Sequence, residues 1–374
     1  MRKAIKSDVL KTAITENGLT QGQLAEQLNV SSQAVTNWIK GKDFPRPATL
    51  LKLASIFKLT FEQLVVTNDP GKPIVAFRKK GNAKTNSTHY AKAEAVGMLL
   101  KPLVEYLPEQ QALRTQITSP SMDYHKLQLV SEQTRNRLGI GAKAELKYED
   151  LIGEFKECGA ILIPVMWGKQ HEHKNALHIR LPVEDVTFIF INLDTYVEDF
   201  KFWMAHELAH VYTPDLAGTV EGEDYADAYA GTLLFPIKCA KEVYHQAIGI
   251  DSPDDIITYL LSYADEHLIS LNTVYEQVNQ YAKNINAPAL PIDKKHLHIV
   301  RNSTAGPLVS EALYDPMPPA PDTYLASCEK TFQSDFFHAL KLMIHEQETG
   351  SSYLQQILDV SVYDAKALYE ELRH

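Results

Sequence analysis

Cysteine is scarce. There are three in 374 residues, Cys158, Cys239 and Cys328, an odd number, far apart and in no CxxC pair. A disulfide framework is therefore not expected, and a reducing compartment is the simpler reading. Long apolar runs are also missing. The longest, residues 186–193, has the size of a strand and falls short of the roughly 18 to 20 residues that span a bilayer, so no membrane partner is expected. The opening Met1-Arg2-Lys3-Ala4-Ile5-Lys6 is basic but no apolar stretch follows it, which argues against secretion and for a cytoplasmic protein. A hydrophobic share of 45% with 22% charged residues excludes a disordered chain, a collagen and a coiled-coil rod. A chain of 374 residues is long enough for two or three domains.

Positive charge is concentrated at one end. Residues 1–80 carry 13 Lys and Arg against 6 Asp and Glu, whereas the remainder carries 24 against 41. A basic module on an acidic body points to a polyanion partner for the first part only. Within it, Val9, Leu10, Ala13 and Ile14 recur at helical spacing before Asn17-Gly18. Thr20 is placed to cap a second helix over 21–27, and Ser31 a third over 32–40, stopped by Gly41. Pro47 opens a fourth helix with a Leu50, Leu51, Leu53, Ala54 and Phe57 stripe, and a fifth begins near residue 59.

Two short helices joined by a tight turn are the pattern of a helix-turn-helix. The run from Leu19-Thr20-Gln21-Gly22-Gln23-Leu24-Ala25 through Asn37-Trp38-Ile39-Lys40-Gly41 resembles the XRE (lambda-repressor-like) family, as do Pro45-Arg46-Pro47 and Leu50-Leu51-Lys52-Leu53-Ala54. The resemblance implies an all-α five-helix domain over 1–68 that binds double-stranded operator DNA, with the third helix in the major groove. Carried over, Ser32, Gln33 and Asn37 read bases, and Gln33 suits a bidentate contact to adenine. Gln21, Lys40, Lys42 and Arg46 contact phosphates, while Ala25, Val35 and Ile39 pack. Gly22 departs from the larger polar residue usual in the family, which weakens the helix and spares the reading face. A two-fold operator leads us to expect a homodimer.

Residues 69–90, with Arg78-Lys79-Lys80-Gly81 at their centre, read as a linker with further phosphate contacts. Helices follow to Cys158, then three short β-rich runs, 160–166, 175–181 and 187–192, in immediate succession. They predict a small antiparallel sheet, with an exposed edge to hold a substrate as an added strand. His171, His173 and His178 look like a metal cluster, but their spacing around a strand and its turn makes a polar hairpin the preferred reading.

Next comes Phe202-Trp203-Met204-Ala205-His206-Glu207-Leu208-Ala209-His210, an HExxH pattern. Residues four apart on a helix differ by about 40° and one turn of rise, so both imidazoles reach one metal ion. Glu207 is displaced enough to hold a water instead of the metal. A second helix over 223–236 follows, on which Glu223 and Asp227 are four apart. Glu223 is the third ligand, with Glu221 and Asp224 in reserve, and Asp227 is placed to hydrogen-bond the outer nitrogen of a ligating histidine.

These residues, together with Ile189-Phe190-Ile191-Asn192 and Ala226-Asp227-Ala228-Tyr229-Ala230-Gly231-Thr232-Leu233-Leu234-Phe235-Pro236, resemble the ImmA/IrrE-like metallopeptidases. Family members often carry a second glutamate where this chain has Tyr225. The resemblance implies a gluzincin-like α+β domain over 91–285, a Zn2+ cofactor and a zinc-dependent endopeptidase. In that reading Glu207 takes a proton from the attacking water and returns it to the leaving amine. Tyr212, Tyr225 and His245 are each available to the oxyanion.

Seven prolines mark residues 286–321 as a connector, and 322–374 returns to helical periodicity with Phe332, Phe336, Phe337, Leu340 and Met343, as a separate helical module. The reading is an α+β multidomain transcriptional regulator of bacterial or mobile-element type, whose peptidase cleaves a repressor protein or its own chain. Its rival is a non-catalytic transcription factor or antitoxin that uses the zincin fold as scaffold or ligand sensor.

Overall fold

In a computed structural model of the chain, residues 2–68, 71–76, 87–108, 115–168 and 176–374 are described. They form two units, Met1–Lys72 and Pro73–His374.

The first unit holds β1 (Arg2–Ile5), α1 (Ser7–Glu16), α2 (Gln21–Leu28), α3 (Ser32–Ile39), α4 (Pro47–Phe57), α5 (Phe61–Leu64) and β2 (Val65–Asn68). Caps fix the central pair of helices. Thr20 Oγ1 accepts from the Gln23 amide while Gln23 Oε1 accepts from the Thr20 amide, at 3.2 and 2.8 Å. Asn29 ends α2 in the left-handed region (φ 56°), and Ser31 Oγ accepts from the Ala34 amide to start α3. Leu10, Leu24, Val35, Trp38 and Leu53 interlock as the core.

The unit is not all helical, which corrects the all-α part of the expectation. α5 is a single turn, and the β-branched Val65-Val66-Thr67 run that follows it pairs antiparallel with β1, Ile5 opposite Val65 and Arg2 opposite Asn68. The basic first residues are therefore a strand that closes the domain.

The second unit is built on a four-stranded sheet in the order β3-β5-β6-β4, with β3 (Ile74–Ala76), β4 (Ala160–Val165), β5 (Ala176–Leu181) and β6 (Val186–Asn192). The sheet is mixed: β4 runs parallel to β6, and the other neighbours are antiparallel. The expected antiparallel sheet is corrected at β4, which pairs in parallel with β6 and not with β5, the next strand in the chain. The first strand lies in the expected linker. Pro73-Ile74-Val75-Ala76 is the apolar stretch of the polar 69–90 segment, and α6 (Ser87–Leu100) begins before that segment ends. Arg78, Lys79 and Lys80 lie outside the described residues, as do His171 and His173.

α7 (Tyr124–Arg137), α8 (Tyr148–Glu157), α9 (Val197–Tyr212) and α10 (Val220–Leu234) surround the sheet. α9 and α10 are buried along most of their length.

One apolar core runs from Val75 to Leu372, so residues 322–374 are not a separate module. Phe336 meets Phe188 edge to face at 6.5 Å, and Phe332 meets Phe200 at 6.4 Å. Trp167 Nε1 donates to the Leu358 carbonyl at 2.8 Å, and Tyr324 and Ser334 donate to Pro164 and Leu162 of β4. The proline-rich stretch is pinned too. It contains the helix Lys294–Ser303, and Val309 and Ser310 donate to the Thr195 and Leu193 carbonyls beyond β6. Among the described residues no helix is long and apolar enough to cross a membrane.

Candidate metal centre and nucleic-acid interface

α9 supplies two histidines one helical turn apart, and α10 returns alongside it. Between them a short turn (residues 213–219) ends at Thr219, whose Oγ1 accepts from the Gly222 amide and caps α10. Gly222 is required there: a Cβ would lie 2.1 Å from the Leu216 carbonyl oxygen. This tight approach brings the next residue, Glu223, against α9. Suitable atoms of His206, His210 and Glu223 all fall within 4.8 Å of one another. The two Nε2 atoms are 3.2 Å apart, and the Glu223 carboxylate reaches them at 3.5 and 3.4 Å. Glu221 and Asp224, the reserve ligands, are exposed and outside this cluster.

Asp227, one turn beyond Glu223, accepts a hydrogen bond from His206 Nδ1 at 2.9 Å. A carboxylate acceptor holds a proton on Nδ1 and turns Nε2 toward the cluster. Burial works against a charged His206 ring, but the Asp227 and Glu223 carboxylates outweigh it and hold its pKa near 9. Burial would raise the Glu223 carboxyl, yet the two histidines pull it down to about 2. Both Glu223 oxygens and His210 Nδ1 are buried without a hydrogen-bond partner. Two imidazole nitrogens and a buried carboxylate converge on one point. That N₂O donor set fits a divalent zinc ion with an open position.

Glu207 is 4% exposed, and its Oε2 lies 3.4 Å from His178 Nδ1. His178 stands on β5, wholly buried, with its ring 5.6 Å from that of His210, and burial pushes its pKa down, toward the neutral form. The polar-hairpin expectation is therefore corrected for His178. Its signal was there to see, because it interrupts the apolar Ala176-Leu177 and Ile179 of a strand that packs on both faces. Tyr90 of α6 was also missed; burial first, and then the negative charge of Glu223, raises its pKa.

The three oxyanion candidates make other contacts. Tyr212 OH donates to Glu154 at 2.7 Å beside Arg137, Tyr225 stacks on Tyr229 at 6.1 Å, and His245 meets Tyr281. None of these contacts includes His206, His210 or Glu223.

In the first unit, Ser32 and Gln33 are exposed at the start of α3 and Asn37 is half-buried one turn on. Gln33 Nε2 donates to Asn37 Oδ1 at 2.9 Å, so these two amides form one polar face. Gln21, at the start of α2, accepts from Thr36 Oγ1 at 3.1 Å. Lys40, Lys42 and Arg46 are exposed just beyond α3. Ala25 and Val35 are buried and Ile39 is half-buried, as packing residues require.

Residues 10–64 match the HTH_3 family, described as helix-turn-helix, and form a domain of that type. The HTH-type transcriptional activator BcrR of Enterococcus faecalis is 37% identical over 59 residues, which are 16% of this chain and 29% of BcrR. The chain thus matches less than a third of the length of that curated relative. ComR from Streptococcus suis aligns over 94% of this chain and 93% of its own at 11% identity, with a TM-score of 0.15.

Proposed function

We propose that the chain is a DNA-binding transcriptional regulator that carries a zinc-dependent endopeptidase centre. The match of residues 10–64 and the polar, exposed start of α3 support DNA binding. In this reading Ser32, Gln33 and Asn37 meet base edges, while Gln21, Lys40, Lys42 and Arg46 hold phosphates. A homodimer suits a two-fold operator. The cytoplasm is the location that fits a regulator of this kind.

The single observation behind the enzymatic part is the convergence of His206, His210 and Glu223 with Glu207 beside them. A bound zinc ion supplies Lewis acidity to a peptide carbonyl and acidity to a water. The chain's own residues do the rest. Glu207 accepts the proton of the attacking water and passes it to the leaving amine nitrogen. Asp227 orients His206, and His178 stands beside Glu207 at 3.4 Å. The substrate is a repressor protein or the chain itself.

A second reading, a regulator whose zinc centre is structural, is favoured by the covered edges of the sheet, where β3 lies on β5 and Tyr324 and Ser334 lie on β4. Elemental mass spectrometry and regulation assays on wild type, His206→Ala and Glu207→Gln separate the two. The peptidase predicts one zinc per chain in wild type and in Glu207→Gln, none in His206→Ala, and loss of derepression in both variants. Unimpaired derepression by Glu207→Gln would favour the structural centre, and a metal-free wild type would sink both zinc readings.

A further inference from the structure

β3 pairs antiparallel with β5, placing Ile74 opposite Arg180, Val75 opposite Ile179 and Ala76 opposite His178. Residues directly opposite each other present their side chains on one face of a sheet. Ala76 therefore shares the face of His178, whose ring reaches Glu207 at 3.4 Å. Val75 and Ala76 are both buried. On its far side β3 abuts the turn that leads to Glu223: a Cβ on Gly218 (φ +75°) would lie 2.8 Å from the Val75 carbonyl oxygen. Pro73, just before, packs against α6, where a Cβ on Gly97 would lie 2.6 Å from its ring. The strand thus fills the space between β5 and the turn beside the histidine–glutamate cluster.

A peptide that binds by strand addition needs an open sheet edge. Among the described residues this sheet offers none near the cluster. Side chains of Tyr324 and Ser334 take up β4 carbonyls on one edge. On the other, β3 already lies along β5 in the antiparallel sense. Among the described residues β3 has three, where strands commonly run to about five or six.

We propose that Pro73–Ala76 is an internal competitor for the peptide that the metal centre takes. The proposal rests on the peptidase reading above. It also names the substrate class: an extended apolar peptide of the Pro-Ile-Val-Ala kind. The residue opposite His178 is small, its neighbour is branched and packs on the other face of the sheet, and a proline precedes them. Pro73 follows directly on Lys72, the last residue of the helix-turn-helix unit.

The test uses the full chain and a fluorescein-labelled Lys-Pro-Ile-Val-Ala peptide, followed by polarisation. Val75→Asp puts a charge in a buried position of β3 and leaves every residue of the cluster in place. It should bind the peptide at least tenfold more tightly than wild type, with zinc content unchanged. Because that variant loses core contacts, hydrogen exchange on wild type is the companion measurement. Saturating peptide should speed exchange at the Ile74–Ala76 amides while those of 177–181 stay protected. Equal affinity in the two proteins, or peptide bound with no change at 74–76, overturns the proposal. Binding reports on the strand and cleavage on the metal centre. Competition without zinc-dependent cleavage upholds the strand's role and overturns the peptidase. Cleavage at equal rates by wild type and Val75→Asp upholds the peptidase and overturns the strand's role.

Discussion

The helix-turn-helix unit and the unit with the histidine–glutamate cluster place their candidate functional residues in opposite environments. Ser32, Gln33, Lys40, Lys42 and Arg46 stand in solvent on short helices and turns, and the core beneath them is made of other residues. His206, Glu207, His210 and His178 are themselves buried, in helices and a strand that also build the core. In the first unit function and stability are separable side chain by side chain. In the second the candidate groups, apart from the half-exposed Asp227, are buried polar groups that need a partner, so the site and the fold depend on the same residues.

The largest test of that contrast is Trp38→Ala. Trp38 is 4% exposed in a small core, and removing a buried tryptophan costs about 3–5 kcal/mol. The first unit should unfold and DNA affinity should vanish, while the second unit keeps its melting transition and its zinc. Calorimetry that shows a single transition shifting as a whole would mean that the two units do not fold independently.

Gly222→Ala is the counterpart in the metal unit. A methyl group 2.1 Å from the Leu216 carbonyl forces the turn and the start of α10 apart, a backbone clash costing about 1–3 kcal/mol. Because Glu223 follows immediately, zinc affinity should fall at least tenfold in a competition titration with a chromophoric chelator. DNA affinity should not change. Unaltered zinc affinity would show that Glu223 is positioned from elsewhere in α10.

How much of this could be read in the sequence follows the same contrast. Helix caps and exposed basic residues are local, and Thr20, Ser31 and Asn29 act where the sequence puts them. His206 and His210 are likewise one helical turn apart, and Glu223 and Asp227 another. What was missed is long-range. The pairing of Arg2–Ile5 with Val65–Asn68, of β3 with β5, and of β4 with β6 in parallel depends on residues far apart in the chain. His178 was misjudged because its partner Glu207 lies 29 positions later on another element. The C-terminal helices read as a module in the sequence because their apolar face does not say which surface covers it. Here that surface includes Phe188 and Phe200.

A smaller effect sharpens the DNA side. If Lys40 and Arg46 hold phosphates, each releases counterions on binding. Replacing either by Ala should flatten the slope of log K against log salt by about one, uniformly across DNA sequences. Gln33→Ala should instead relax base preference and leave the slope alone. A slope unchanged in the Lys40 and Arg46 variants would remove these residues from the interface.

The smallest effect repeats the glycine substitution in the first unit, where its sign should reverse. Gly22 lies within α2, and a Cβ there would meet only Thr20 Oγ1 at 3.8 Å and Ser32 Oγ at 3.9 Å, ordinary contact distances. Alanine fits without displacing anything and removes the backbone freedom that glycine keeps in the unfolded chain, a gain of about 0.5–1 kcal/mol. Gly22→Ala should therefore raise the melting temperature of the first unit, whereas Gly222→Ala lowers that of the second. The added methyl lies beside Ser32, so DNA affinity also reports on it. Affinity that holds while stability rises means that Ser32 keeps its place on the reading face. Affinity that falls means that the open space at Gly22 belongs to the interface, and the separation of function from stability in this unit ends at that residue.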